Sequence, residues 1–493
     1  HTSCVREKAS SAAADASSRT PAHCGEHCCL FKGRERTDCA LVSPSMRSVS
    51  NSHPSEYDLL LPPATSQTHS RNIQQDGAVE VNPAPSPPRE RLESLDVLRG
   101  LTIAFMILVN SAPDPKYAPL DHSAWNGVTI ADFVFPFFVF MVGNSLGIAF
   151  DRQLEQNPKT QLLIKALVRF AKLLFLGIFV INIFVPLCAI PVIGNESQMC
   201  WTLPLLDFAT IRLPGVLQRI AVVYLVLTLC MMFIPKCSSY KGSMDTYVKF
   251  WAEWVVVLAI FATYCVLMYG VDVPGCGRGS VAQECNAASW IDRIVFTPAH
   301  MYPFPTCGQK CAPFDPEGVM GTLSACLSGF LGLHVGRVFR MHTSSFHRLW
   351  HLSIFGSVWM ILGLLLDFVG GVPFNKNLWS PSYVFLMAGV ATLFLVLLYA
   401  VMDLGGFKII FRPFQYMGMN AIILYTGSEF VPNVLSMMYR GNPSRPLYIV
   451  IQETLFTDPM GALPGSLVFA LCHVGFWLLV GFLLWRKKIF VRL

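Results

Sequence analysis

The sequence predicts an all-α, polytopic membrane protein with about ten transmembrane helices, and three observations predict it. Of 493 residues, 53% are hydrophobic and only 14% charged, and the mean hydropathy of +0.48 lies above what a water-facing surface tolerates. From about residue 97 to the C-terminus, apolar runs recur at the ~20-residue length that crosses a ~30 Å hydrocarbon core. Each such run must be helical, because backbone groups have no water to bond there. Basic residues fall in short segments between alternate runs, so the formal net charge of +6 reads as topology and gives no reason to expect a nucleic-acid partner.

Residues 1–92 are rich in Ser, Pro, Ala and charge, end in Pro83-Ala-Pro-Ser-Pro-Pro88 and show no apolar periodicity. They are expected to form a disordered, cytosolic head, since they cannot offset their ordering entropy by burial. His23, Cys24, His27, Cys28 and Cys29 crowd into one run, whereas a zinc site normally draws its four ligands from two knuckles; no metal is expected. The opening on His1 leads us to expect a fragment or a processed product. The transmembrane domain is assigned to residues 93–493.

The apolar runs lie near 97–112, 128–150, 165–190, 215–235, 250–270, 319–337, 350–370, 381–402, 413–432 and 465–486. If the first helix starts in the cytosol, Arg152, Lys159 and Lys165 share one side with Lys236, Lys241 and Lys249, with Arg337, Arg340 and Arg348, with Lys408 and Arg412, and with the Arg486-Lys487-Lys488 tail. Both termini are then cytosolic. The opposite side receives the sequon Asn195-Glu-Ser197 and the cluster Cys276, Cys285, Cys307 and Cys311, which suit glycosylation and disulfide formation in an oxidising compartment. Four cysteines allow three pairings, and the sequence leaves them open.

The polar residues within or beside these runs carry the chemistry. Asp96 and Arg99 share one helical face at the cytosolic start of the first run. Asn110 closes that run at the far interface, and there follows Asp121-His-Ser-Ala-Trp-Asn-Gly127, with Asp132 about one turn into the second run. An ionisable group inside a span is a functional hypothesis by default. Imidazole as a group titrates near neutrality, and a histidine at position 122 can take a proton from an ammonium group or carry an acyl group itself. Trp125, Asn126 and Asp132 are candidate supporting residues. Arg219 is a guanidinium in the fourth run and is expected to pair with an anion, either Asp132 or a ligand phosphate. Asn144, Asp367 and Asn420 serve equally well as helix-packing groups.

Six runs, in matching order, resemble the heparan-alpha-glucosaminide N-acetyltransferase family of transmembrane acetyltransferases: Arg91–Gly100, His122–Phe140, Leu213–Arg219, Phe314–Thr322, Asn375–Ser380 and Trp485–Phe490. The resemblance implies a transmembrane acyltransferase domain that passes acetyl from cytosolic acetyl-CoA to the terminal glucosamine of a heparan-sulfate-type acceptor on the lumenal side. It implies His122 as the active-site histidine and Asn110 as the catalytic asparagine. The animal enzymes carry a glycine-rich stretch between these two positions, and here it reads Ser-Ala-Pro-Asp-Pro-Lys-Tyr-Ala-Pro-Leu-Asp. It also implies a short form, without the lumenal domain and additional helix that precede this core in the animal enzymes, in a lysosomal or vacuolar membrane or at the plasma membrane. A homodimer is compatible with it.

Coenzyme A carries several charges and cannot cross hydrocarbon, so transfer requires a tunnel that brings the thioester to the far interface. Arg152, Lys165, Arg169, Arg486, Lys487 and Lys488 are the candidate cations for its phosphates, if they do more than set topology. The partners expected are membrane lipid and an amino-sugar acceptor. Two other classes remain open. A solute transporter would need intramembrane polar groups at midplane and internal repeats, and neither pattern stands out. The other is a catalytically silent membrane member of the family.

Overall fold

The computed structural model describes residues 92–112, 117–182, 208–209, 211–234, 249–302, 313–436, 438–440 and 445–491. The head, His23 to Cys29, Asn195, Cys307 and Cys311 lie outside the described residues, apart from Leu92 at the head's boundary. Helix α1 spans Glu93–Ser111. A 3-10 turn, Ile130–Phe133, leads into α2, Val134–Gln156. Helix α3, Lys159–Phe175, continues through a π-helical segment to Ile181. There follow α4 (Val216–Phe233), α5 (Trp251–Gly270), the short α6 (Ala287–Phe296), α7 (Val319–Met341), α8 (Ser345–Phe368) and α9 (Pro381–Leu398). Then come α10 (Arg412–Met419), α11 (Ala421–Ser436), α12 (Leu447–Gln452) and α13 (Ala462–Arg486). Among the described residues, strands are confined to two small hairpins.

Eight of these helices are long and apolar enough to cross a membrane, and the chain is an all-α polytopic membrane protein. The other two expected crossings are irregular. Helix α3 carries Lys159, Lys165, Arg169 and Lys172, and the expected helix over 413–432 is broken at Asn420, where φ is −121° and ψ 35°. The Asn420 side chain turns to the C-terminal tail instead of a neighbouring helix. Its Nδ2 donates to the Ile489 carbonyl at 3.1 Å and its Oδ1 accepts from the Val491 amide at 3.1 Å.

Burial sorts the helices into layers. The apolar window of α7 is 83% buried, against 22% for α5, α8 and α13, which therefore present their faces to lipid. Helix α7 crosses α2 at backbone contact. A Cβ on Gly143 would lie 1.7 Å from the Gly329 carbonyl oxygen, and one on Gly332 would lie 2.0 Å from that of Phe140. Small residues are what let two membrane helices approach so closely.

At the end marked cytosolic by the basic residues, α2, α5 and α7 are clamped by charge. Arg337 donates to both carboxylate oxygens of Glu253, at 2.6 and 3.0 Å, and both side chains are 1% exposed. Asp151 lies 3.5 Å from Arg337 and 3.2 Å from Arg340, and Arg340 also reaches Glu155 at 2.8 Å. The Phe250 ring covers the Arg337 guanidinium at 3.6 Å. Residues that mark topology in the sequence are thus ion-pair partners in the fold.

Candidate functional site

His122 lies in the loop between α1 and α2, and Asp132 positions it. The turn Ile130–Phe133 is capped by Thr129, whose amide donates to Asp132 Oδ2 at 3.1 Å, and the Ser123 amide donates to the same oxygen at 3.2 Å. Asp132 Oδ1 then faces His122 Nδ1 at 2.8 Å. The carboxylate is fully buried, whereas the imidazole is 41% exposed. A buried acceptor on Nδ1 places the ring proton there and leaves Nε2 as the basic nitrogen.

A third charged group, which the sequence reading does not place here, completes the cluster. Lys376 Nζ lies 3.0 Å from His122 Nδ1, 3.4 Å from Nε2 and 3.3 Å from Asp132 Oδ1. Burial pushes the Lys376 ammonium below the ordinary lysine range, and the Asp132 carboxylate pulls it back up. Its turn is rigidly built. Asn375 accepts from the Leu378 amide at 2.8 Å and its own amide nitrogen donates to Ser380 Oγ at 3.0 Å. The Asn375 side chain also donates to Asn126 Oδ1 at 3.0 Å, while the Gly127 amide donates to the Phe374 carbonyl at 2.8 Å. Asn126 therefore joins the His122 loop to the Lys376 turn. Trp125 anchors the loop from the other side, donating to the Val281 carbonyl at 3.0 Å and meeting Phe314 edge-on.

Arg219 and Asn110 each have other partners in the fold. Arg219 does not bind Asp132: it donates to the Pro316 carbonyl at 2.7 Å and approaches Thr322 Oγ1 at 3.3 Å, with Trp379 against its guanidinium at 4.8 Å. Backbone carbonyls are cheaper partners than a second buried charge, and Asp132 is already matched. Asn110 donates to Glu429 Oε1 at 2.8 Å on α11. Among the described residues no hydrogen bond joins Asn110 to His122. Beside Asn110, Ser111 Oγ contacts His473 Nδ1 at 2.5 Å, and His473 Nε2 accepts from Trp477 at 2.9 Å.

A cavity of about 590 Å³ opens among α1, α2, α3, α4, α10 and α11. On α2 it is lined from Phe138 to Gln153, roughly 22 Å along the axis at 1.5 Å per residue, most of a ~30 Å core. Asp96, Arg99 and Arg169 line its length toward the end marked cytosolic, and Val216 and Tyr425 lie further in. Arg99 pairs with Asp96 at 3.4 Å and donates to Ser145 at 2.9 Å. Of the six candidate phosphate ligands only Arg169 lines the cavity; Arg152, Lys165, Arg486, Lys487 and Lys488 are exposed outside it.

On the opposite side, Cys276 is disulfide-bonded to Cys285, one of the pairings that the sequence leaves open. Among the described residues no three His, Cys, Asp or Glu side chains converge on a common metal position.

Lys376 and Glu429 are the two site residues that the sequence reading misses. Each leaves a signal: Lys376 sits in the Asn375–Ser380 run, and Glu429 is a carboxylate within an apolar run, which by itself flags a functional position.

Residues 91–272 match the family model described as heparan-alpha-glucosaminide N-acetyltransferase, catalytic. The chain is 30% identical over 438 residues to the human protein named heparan-alpha-glucosaminide N-acetyltransferase (Homo sapiens), covering 83% of this chain and 60% of that protein. The mouse protein of the same name (Mus musculus) is 29% identical over 433 residues, covering 82% and 60%. The chain thus spans about 60% of the length of the curated relatives it matches.

Proposed function

We propose that this chain belongs to the heparan-alpha-glucosaminide N-acetyltransferase family, to which its similarity points, and that it transfers an acetyl group across a membrane. The donor is acetyl-CoA on the cytosolic side, and the acceptor is the amine of a terminal glucosamine on the lumenal side of a lysosomal or vacuolar membrane. One observation carries this reading. A half-exposed imidazole backed by a buried carboxylate stands at one helix end, and a cavity runs from the other end up to Phe138, six residues or roughly 10 Å along α2 from Asp132. A charged donor that cannot cross hydrocarbon needs that pairing of a conduit with a reactive terminus.

In this reading Arg169 meets a phosphate of the donor and the acyl arm follows the cavity toward His122. His122 Nε2 takes a proton from the glucosamine ammonium, or accepts the acetyl group before passing it on. Asp132 holds the ring so that Nε2 faces the substrates. The deciding experiment is an acetylation assay in sealed vesicles, with acetyl-CoA on one face and glucosamine on the other. N-acetylglucosamine is expected only when donor and acceptor occupy opposite faces and acetyl-CoA is on the face bearing both termini. Product that requires both substrates on one face, or no product at all, would sink the proposal.

A further inference from the structure

We propose that Lys376 supplies the positive charge that stabilises the acetyl carbonyl oxygen as it becomes an oxyanion beside His122. The inference rests on the acetyl-transfer reading and deepens it. The charged groups facing His122 are Asp121, through the backbone amide of His122 at 2.9 Å, Asp132 at 2.8 Å and Lys376. Asp132 occupies Nδ1, so chemistry falls to Nε2, and the Lys376 ammonium lies alongside the ring, 3.0 Å from Nδ1 and 3.4 Å from Nε2. An acyl carbon approaching Nε2, or an amine held by it, brings its carbonyl oxygen beside the ring within reach of Nζ. An ammonium already in place there costs no reorganisation when charge develops.

Asn110, which the resemblance implies as the catalytic asparagine, gives a hydrogen bond to Glu429 and none to His122 among the described residues. Lys376 comes from a different part of the chain, 254 residues from His122, and is itself 20% exposed while Asp132 is fully buried. In the direct route Nε2 takes one proton from the acceptor ammonium, the amine nitrogen bonds to the carbonyl carbon, the C–S bond breaks with its electron pair on sulfur, and the thiolate takes the second N–H proton. In the covalent route Nε2 bonds to the carbonyl carbon as the C–S bond breaks with its pair on sulfur, and the thiolate takes a proton from the ammonium. The amine then bonds to the same carbon, the C–Nε2 bond breaks with its pair returning to Nε2, and Nε2 takes the second N–H proton. Lys376 keeps its proton throughout.

A structural role for Lys376, as counter-ion to Asp132 alone, makes different predictions, and the test separates the two. Lys376→Met and Lys376→Arg are prepared in the full chain in membrane vesicles, and acetyl-CoA and glucosamine are the substrates. Lys376→Met is expected to lower kcat at least 100-fold with KM for acetyl-CoA within threefold, because the lost charge acts only as the oxyanion develops. Lys376→Arg is expected to recover at least tenfold of the lost rate. A Lys376→Met protein within threefold of the unsubstituted rate overturns the proposal, and so does a loss of kcat that comes with KM raised more than threefold or that Lys376→Arg does not relieve, which is the mark of a structural counter-ion. No transfer by the unsubstituted protein refutes the acetyl-transfer reading itself, and that result is separate from any effect of the substitutions.

Discussion

The two ends of the helix bundle carry the same residue types in opposite arrangements. At the end marked cytosolic, Arg337 and Glu253 form a two-bonded pair sealed at 1% exposure, with Asp151, Arg340 and Glu155 extending it. At the other end the carboxylate of Asp132 is just as buried, but its partner His122 is 41% exposed and a lysine lies against both. The Arg337–Glu253 pair is closed to solvent, which reaches its network only at the rim, where Arg340 is 25% and Glu155 67% exposed. A buried carboxylate that orients an exposed imidazole aims a ring nitrogen outward. What separates the two clusters is whether solvent reaches the direct partner of the buried carboxylate, and composition does not show it.

Substitutions at the two ends should behave oppositely. His122→Ala is expected to lower the acetyl-transfer rate by about 10³-fold, the loss typical of a positioned acid–base group, with no change in the thermal unfolding midpoint of the detergent-solubilised protein. Arg337→Met is expected to cost about 3–5 kcal/mol of stability by leaving Glu253 buried without its partner. Among molecules that remain folded, the rate should be unchanged. The double substitution Arg337→Met with Glu253→Met should recover most of that stability, since an apolar pair of similar volume replaces a desolvated ionic one. Thermal unfolding of the three variants checks this, and a double variant as unstable as the single would show that Asp151 depends on Arg337 as well.

A smaller effect is expected at Asn110. Asn110→Ala should lower kcat about 10²-fold if its amide faces the reaction, and Glu429→Gln should reproduce that loss if Asn110 acts by holding the carboxylate. Comparing kcat for the two variants decides which.

The sequence shows how the two ends come to differ only in part. Apolar run length placed α1, α2, α4, α5, α7, α8, α9 and α13 because hydrocarbon imposes helicity regardless of tertiary context. It missed the break at Asn420, because a side chain that caps a broken helix and one that bonds a neighbouring helix look alike in one dimension. Asp132 and His122 stand ten residues apart in one motif, and their partnership is local. Lys376 is 254 residues distant, and Arg219 turns to carbonyls of a loop 97 residues away. Such partners follow from how α4, α7 and the turn before α9 pack, which no spacing rule reports.

The finest division between the ends concerns cations that mark topology and cations that meet a ligand. Arg152 and Lys487 are exposed, fit the positive-inside pattern and do not line the cavity. Arg169 lies in the cavity wall, its guanidinium 4.5 Å from the Tyr224 ring, and its Nε makes no hydrogen bond among the described residues. The neighbouring Arg99 already has Asp96 and Ser145. A phosphate gives Arg169 a partner with charge-assisted hydrogen bonds of about 1.5–3 kcal/mol, and about 1.4 kcal/mol is tenfold in affinity. Arg169→Gln should therefore raise KM for acetyl-CoA roughly tenfold and leave kcat within threefold, because the lost contact is made equally in the ground and transition states. Arg152→Gln and Lys487→Gln should leave both constants unchanged. A fall in kcat with an unaltered KM at Arg169 would mean that the cavity is not the path of the donor.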